Sequence, residues 1–374
     1  MKSMILYHPH VHDIATTKTQ LFYAVCPEVP AASALAESLG LLHEEFEFES
    51  DLDLSVKPFG FGNAERPSEE DFWIREADHA SALWERSRGL DSRLVALSWM
   101  EGTYPVVTLT GSGIRSVTDL KGKRLGIIKT TDSPFDVGYA QQLKIYTTVL
   151  STAKLTLEDV ELVAIERPKP VPALTPGKDA RQKAVVELNA DLADRLSRKE
   201  FDAITVGLAS DIAAHISVRI LSDTHDHYDF IARVHPGVLR AVVVSGALLR
   251  KHRHLVVRSL ARLLQAADWA RTRTPEQIAA QFAEAGEVYP EALASKYDGL
   301  AKGVQVDFSA EKMLGLRAQK NFLLRHRLIE KNVDLDQWID HGPLAEAHKL
   351  YAEWKDVGRL RSGRLSWESH SAPS

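Results

Sequence analysis

The chain contains very little cysteine: Cys26 is the only one in 374 residues. A single cysteine cannot form an intrachain disulfide bond, so the sequence excludes a disulfide-stapled scaffold and fits a reducing compartment. Free cysteines are commonly small buried hydrophobic groups, but a thiol with a lowered pKa is a nucleophile. Cys26 is therefore either a core residue or a reactive one.

Long apolar runs and an excess of positive charge are also missing. No stretch approaches the ~18 uncharged apolar residues that span a bilayer, so membrane insertion is not expected. The run Met4–Tyr7 is too short for a secretory signal, which favours a cytoplasmic protein, or a periplasmic one whose leader has been removed. With 46 Lys and Arg against 51 Asp and Glu, the chain offers no broad cationic surface for nucleic acid. We expect a monomer whose partner is a small molecule.

Strand and helix patterns alternate along the chain. Hydrophobic residues make up 44% and charged residues 26%, as in ordinary globular proteins. The patterns predict a strand at 20–25, a helix at 31–45, a second strand around Phe46 and Phe48, a helix at 74–86 and a strand at 93–98. Further alternation continues to about residue 249, and the remainder reads as helical.

This alternation predicts an α/β protein with two lobes facing a cleft and a helical C-terminal part. Lobe 1 is predicted to comprise 16–114 and 240–345, lobe 2 to comprise 115–239, and 355–374 to form a flexible tail. Ligands in open α/β sheets bind beyond the carboxyl ends of strands, so residues that directly follow strands are the candidates for a site.

Cys26 occupies such a position, between a predicted strand and a predicted helix that has Pro30 in its first turn. A helix N-terminus favours a thiolate because its dipole and unpaired N–H groups stabilise negative charge. The position is consistent with a nucleophile or with a buried core thiol.

Arg75 and His79 are four residues apart, which places them on one face of the helix predicted at 74–86, with Asp78 beside them. A guanidinium can grip an oxyanion while an imidazole moves protons near neutral pH. The alternative is a solvated charged face.

Two histidine-rich segments are candidate metal sites. His8, His10 and His12 alternate as strand ligands would, although a flexible terminus is the simpler interpretation. The segment SDTHDHYD places His225 and His227 among aspartates, with a solvated loop as the alternative. Motifs of the GxGxxG, P-loop, HExxH and GxSxG types are missing from the sequence, so no cofactor and no metal are expected.

Several segments resemble one enzyme family. CPEVPAASALAESLG, which begins at Cys26, is similar to the Cys-Pro turn and helix of the aromatic sulfinate desulfinases, of the 2'-hydroxybiphenyl-2-sulfinate desulfinase type. The similarity continues through ALWERSRGLDSRLVALSW, SGIRSVTDLKGKRLGI, LTLEDVELVAI and AQKNFLLRHRLIEKNVDLDQW. It spans about residues 20 to 340.

The resemblance implies a type 2 periplasmic-binding-protein fold and a cofactor-free hydrolase that cleaves an aryl C–S bond and releases sulfite. It implies that Cys26 is the nucleophile and that Arg75 grips the substrate. Two features depart from the family: Ala77 and Asp78 replace a Gly-Gly pair, and the segment 58–67 lacks the family's histidine.

The remaining site residues complete this hypothesis. His79 is proposed to replace the missing histidine, and Asp78 would lie next to the bound sulfinate. Phe59, Phe61 and Trp73 are expected to contact the aromatic part of an anionic aromatic substrate. The alternative is a non-catalytic substrate-binding protein for an aromatic or sulfonated anion, of the kind that serves ABC uptake systems; a decarboxylase is the third possibility.

Overall fold

A computed structural model describes residues 18–25, 29–47, 49, 51–58, 71–168, 178–284, 289–297 and 299–356. Its strands are β1 Thr19–Val25, β2 Leu52–Pro58, β3 Phe72–Asp78, β4 Ser92–Trp99, β5 Pro105–Leu109, β6 Arg124–Thr130, β7 Glu161–Arg167, β8 Ala203–Thr205, β9 Val218–Asp223 and β10 Leu239–Ser245.

The helices alternate with these strands and then dominate the C-terminal part. They are α1 Ala32–Ser38, α2 Leu41–Phe46, α3 His79–Ser87, α4 Val137–Thr152, α5 Lys178–Ser197, α6 Ala209–Ala213, α7 Phe230–Arg233, α8 Gly246–Lys251, α9 Arg253–Arg271, α10 Pro275–Glu284, α11 Pro290–Lys296, α12 Leu300–Gly303, α13 Ala310–Arg325, α14 Leu335–Trp338 and α15 Gly342–Asp356.

Two five-stranded mixed sheets share one plan. The first has the order β2-β1-β3-β10-β4 and the second the order β7-β6-β8-β5-β9. In each sheet the first three strands are parallel, and the fourth runs antiparallel to both of its neighbours. The antiparallel strand is β10 in the first sheet and β5 in the second. Each of these strands directly follows a point where the chain crosses from one lobe to the other. The predicted two-lobed α/β fold with a helical C-terminal part is confirmed.

The boundary between the lobes differs from the predicted one. β5 pairs with β8 and β9 in the second sheet, whereas the boundary at 114/115 assigned this strand to lobe 1. The chain crosses between β4 and β5 and returns before β10. The predicted tail at 355–374 lies almost wholly outside the described residues.

Two local predictions were wrong. Phe46 ends helix α2, and the second strand, β2, begins only at Leu52. Residues 72–78 form strand β3 rather than the start of a helix, because both faces of this central strand are buried and its apolar residues do not alternate. Helix α3 begins at His79, with Asp78 as its N-cap.

One apolar core joins the two lobes. Trp73, Leu97 and Leu239 of the first sheet belong to the same buried cluster as Val106 and Leu125 of the second. Separate clusters lie on the outer face of each sheet, one beneath α1, α9 and α15 and one against α5.

Candidate functional site

A cavity of about 570 Å³ lies between the two sheets. Both lobes contribute to its wall, since it is lined by Asp78 and Arg240 from the first sheet and by Ile128, Thr130 and Thr205 from the second. Ligand pockets of proteins have volumes of roughly 300–1,000 Å³, so this cavity can enclose a small organic molecule.

The lining begins where central strands end. Asp78 is the last residue of β3 and Thr205 the last of β8, so each lobe presents the carboxyl end of a central strand to the cavity. Arg240 pairs in register with Asp78 across β3 and β10. This placement is the one expected for binding sites in open α/β sheets.

Four cationic side chains line the cavity: Lys178, Arg181, Arg240 and Lys296. Arg240 is only 2% exposed, so solvent screens its charge little. Lys178 and Arg181 lie in the first turn of α5, whereas Lys296 ends α11.

Carboxylates are present as well. The lining includes Asp78, Asp136, Asp211 and Glu291. Asp136 is occupied by backbone donors, because it accepts the N–H groups of Thr130 and Tyr139 at 2.5 and 2.9 Å. Burial raises the pKa of Asp211, and the charge of Lys296 opposes this rise. The cavity thus mixes positive charge with hydrogen-bond acceptors.

Aromatic side chains complete the wall, namely Tyr104, Phe135, Tyr289 and Tyr297. Tyr104 lies on the crossover from β4 to β5, where its hydroxyl donates to the Gly237 carbonyl at 3.3 Å and Lys296 Nζ lies 5.2 Å from its ring centroid. Burial raises the pKa of Tyr104, so this phenol stays protonated and can donate a hydrogen bond.

Arg75 does not lie where the sequence predicts. It lies on β3 rather than on a helix with His79, its side chain is 5% exposed, and its guanidinium pairs with both oxygens of Glu85, one at 3.0 Å. Burial disfavours its charge, but Glu85 overcomes this effect and holds the pKa of Arg75 above its ordinary value. Arg75 is outside the set of side chains that line the cavity.

His79 and Trp73 are likewise core residues. His79 is fully buried; its Nδ1 lies 2.8 Å from the Leu239 carbonyl and its Nε2 lies 3.3 Å from Gln319 Oε1. Burial lowers the pKa of His79, so the ring favours its neutral form. Trp73 is 5% exposed and packs under the Arg75 guanidinium, 5.7 Å from ring centroid to Cζ. Neither side chain lines the cavity, whereas Asp78 does.

Cys26, Phe59 and Phe61 lie outside the described residues, so their predicted roles stay predictions. The helix that follows Cys26 is short, with seven residues in α1. Its Ser33 N–H donates to the buried carboxylate of Glu76 at 2.7 Å. The Glu76 side chain therefore lies at the N-terminus of α1. Val29 lines the cavity.

The structure describes only the second of the two histidine-rich segments. His8, His10 and His12 lie outside the described residues. In the second segment, Asp223 accepts the N–H groups of Tyr104 and His225, and Asp229 caps α7. Across the described ranges, three or more His, Cys, Asp or Glu side chains do not converge as a metal site requires.

Sequence reasoning missed the residues that line most of the cavity, including Arg240, Lys296, Tyr104 and Thr205. A signal existed for two of them: Thr205 ends the apolar run FDAIT, and Arg240 begins the run LRAVVVS. Polar residues at the ends of buried strands are candidates for a site. No local pattern identifies Lys296 or Tyr104, because only tertiary packing brings them to the cavity. Lys296, for example, comes from the helical C-terminal part.

Solved structures share this fold at low sequence identity. The desulfurization enzyme DSZB is 20% identical, with a TM-score of 0.68, over 89% of this chain and 100% of that chain. A variant of DSZB in complex with biphenyl-2-sulfinic acid gives 20% identity and a TM-score of 0.67, over 88% of this chain and 99% of that one. The periplasmic aliphatic sulphonate binding protein SsuA from Escherichia coli is 16% identical, with a TM-score of 0.59, over 87% and 92% of the two chains.

Sequence comparison identifies a broad family but no individual relative. No curated protein sequence matches the chain significantly. Among the described residues, each helix is too short or too polar to cross a lipid bilayer. The model of the NMT1/THI5-like family matches residues 70–277, which is more than half of the chain. This match agrees with the periplasmic-binding-protein-like fold, and the protein therefore belongs to the NMT1/THI5-like family.

Proposed function

We propose that this protein binds a small aromatic anion in the cavity between its two sheets. The observation that carries the proposal is the lining, which brings four cationic side chains and four aromatic rings from both lobes to one cavity. Two of these cations, Arg181 and Arg240, are 8% and 2% exposed, and buried cations attract an anion more strongly than exposed ones because little water competes with the ligand. The rings and the neighbouring aliphatic side chains supply apolar contact for the aromatic part.

Arg240 takes the role that the sequence had suggested for Arg75. Arg75 is neutralised by Glu85, whereas Arg240 and Lys296 both line the cavity near Tyr104. A guanidinium binds carboxylate, sulfinate or sulfonate oxygens through paired N–H groups. We assign the anionic group of the ligand to this end of the cavity.

Calorimetry with benzenesulfinate, benzenesulfonate and benzoate tests this function. We expect saturable binding of at least one of these anions. Lys296→Met should weaken it by roughly tenfold through the loss of a charge-assisted contact of ~1.4 kcal/mol. Lys331→Met removes an exposed lysine outside the cavity and serves as the control. Undetectable binding of all three anions would reject the proposal.

A second candidate is desulfinase-like hydrolysis of an aromatic sulfinate. It is favoured by the structural likeness to DSZB over that enzyme's whole chain and by Val29, three residues after Cys26, which lines the cavity. In this scheme the Cys26 thiolate attacks the sulfinate sulfur, the C–S bond breaks as the ring carbon takes a proton, and water then cleaves the S–S(O) bond to release sulfite and regenerate the thiol.

Sulfite release from biphenyl-2-sulfinate separates the two candidates. An enzyme should release sulfite in amounts exceeding the protein, and Cys26→Ser should abolish this release while leaving binding in place. A binding protein should bind the anion without turnover. Titration of the thiol against pH adds an independent measurement, since a catalytic cysteine reacts well below its ordinary pKa of about 8.5.

A further inference from the structure

The Asp78 carboxylate forms part of the cavity wall although the proposed ligand is an anion. Asp78 is 2% exposed, and its Oδ1 accepts the Ser81 N–H at 2.7 Å as the cap of α3. Its Oδ2 is enclosed and has no hydrogen-bond partner among the described residues. A carboxylate can only accept hydrogen bonds, and an enclosed acceptor without a donor is costly. A donor on a bound molecule would therefore satisfy this oxygen.

Arg240 fixes where that donor must lie. Asp78 and Arg240 are direct partners in the register of the antiparallel strands β3 and β10, and both line the cavity. Cβ atoms of directly opposed residues are about 4.5–5.5 Å apart. The two side chains therefore start from the same end of the cavity, so an anionic group at Arg240 lies on the side of the cavity that Asp78 also lines. A ligand that carried only an anion would bring a second negative charge next to this carboxylate.

Thr205 shows the same feature on the opposite lobe. It is 5% exposed, lines the cavity, and its Oγ1 is enclosed without a hydrogen-bond partner within the described part of the chain. A hydroxyl can donate or accept, so it accommodates a polar group that is bound to Asp78 or to Arg240. Each lobe therefore has an enclosed oxygen atom that could form a hydrogen bond and that a simple aryl anion would leave without a partner.

We propose that the ligand carries a hydrogen-bond donor, a hydroxyl or a protonated amine, on the atom next to its anionic group, and that Asp78 receives this donor. This inference rests on the proposed function, because it assigns the anionic group to Arg240. It restricts the ligand to aromatic acids with an adjacent hydroxyl or amino substituent, and it makes Asp78 a specificity-determining residue.

Three probes of similar size test the inference by calorimetry: phenylacetate, mandelate and phenylglycine. They share a ring and a carboxylate, and they differ in having no donor, a hydroxyl or an ammonium group on the adjacent carbon. We expect mandelate and phenylglycine to bind about tenfold more tightly than phenylacetate, which corresponds to ~1.4 kcal/mol. Equal affinities, or tighter binding of phenylacetate, would overturn the inference and leave the proposed function standing. Failure of all three probes and of the simple aryl anions would reject both.

Asp78→Asn provides the complementary measurement. Asparagine is also a good helix N-cap, so α3 keeps its cap while the negative charge is lost. The variant should lose the preference for phenylglycine over phenylacetate, because an amide does not attract the ammonium group. Asp334→Asn, at the exposed N-cap of α14, is the matched control and should keep the preference. A preference that persists in Asp78→Asn would contradict the assignment, and if that variant does not fold, the wild-type probe series decides alone.

Discussion

At the scale of residues, the charged side chains of this protein divide into those that are neutralised in the core and those that face the cavity. Arg75 and Glu85 are 5% and 6% exposed and form a bidentate pair. The sequence grouped Arg75 with Asp78 and His79 as an anion-binding cluster, because local spacing does not reveal which distant carboxylate a buried arginine meets. Asp78 was expected beside Arg75 and His79 on a helix; the structure places it at the end of β3, where it lines the cavity.

We expect Glu85→Gln to lower the free energy of unfolding by about 3 kcal/mol or more, since it leaves a buried guanidinium without its counterion. Urea denaturation measures this loss. Glu346→Gln breaks a pair with Arg253 whose side chains are 38% and 48% exposed, and it should cost less than about 1 kcal/mol. Similar losses in the two variants would argue that the Arg75–Glu85 pair is not effectively buried.

His235 gives the stability a pH dependence. It is 1% exposed, and burial, followed by the charges of Lys144, His79 and Lys296, holds its pKa well below the ordinary value. The unfolded chain takes up a proton near pH 6.5 and the folded chain does not, so stability falls as the pH drops below that value, by up to ~1.4 kcal/mol per pH unit.

Replacement of this ring should flatten the pH dependence. His235→Gln is expected to reduce the decrease in unfolding free energy between about pH 6.5 and pH 5, whatever its effect at neutral pH. Denaturation curves at several pH values provide the measurement. His348→Gln, which removes an exposed histidine, should leave the slope as in the wild type. An unchanged slope in His235→Gln would show that other groups account for it.

At the scale of elements, sequence periodicity located most helices and several strands but failed at β3. Apolar spacing predicts helices at 138–153 and 255–271, and α4 and α9 have nearly these bounds. β3 reads as FWIREAD, and its Arg, Glu and Asp made it resemble an amphipathic helix. Arg75 and Glu76 are paired with residues that lie 10 or more positions away, namely Glu85, Ser98 and Ser33. Such pairing follows from tertiary structure and is not encoded in local periodicity.

Gly237 shows how tightly the two crossover segments pack. A Cβ there would lie 2.4 Å from the Tyr104 hydroxyl and 2.9 Å from Gln141 Nε2. We expect Gly237→Ala to destabilise the protein by about 1–3 kcal/mol, measured by thermal or chemical unfolding. Tyr104→Phe in the same background should recover part of this loss, a non-additivity expected for residues in contact. Gly111→Ala, where a Cβ meets no atom within 4 Å, should be nearly neutral, and equal effects at the two glycines would refute the packing argument.

At the scale of the whole molecule, the cavity exists because two lobes with the same strand plan meet across two crossovers. The two-lobed α/β arrangement was predictable from the alternation of strands and helices, whereas the strand order within each sheet and the lining of the cavity were not. α5 of lobe 2 and α11 of lobe 1 face each other only in the folded chain, although more than 90 residues separate them. Their ends supply Lys178, Arg181 and Lys296, three of the four cations on which the proposed function depends.

Tyr289 joins the two lobes at one edge of the cavity. It precedes α11, its hydroxyl bonds to Asp179 of α5, and Lys178 Nζ lies 5.4 Å from its ring centroid. We expect these contacts to slow the escape of a bound ligand, because separation of the lobes would break them. Tyr289→Phe removes only the hydroxyl, whose hydrogen bond contributes about 0.5–1.5 kcal/mol, and should accelerate dissociation by roughly two- to tenfold. Stopped-flow fluorescence of the complex with an aryl anion measures the rate. Tyr228→Phe alters a fully exposed tyrosine and should leave the dissociation rate unchanged. If the ligand leaves Tyr289→Phe as slowly as it leaves the wild type, the lobes are held together by their shared core rather than by this contact.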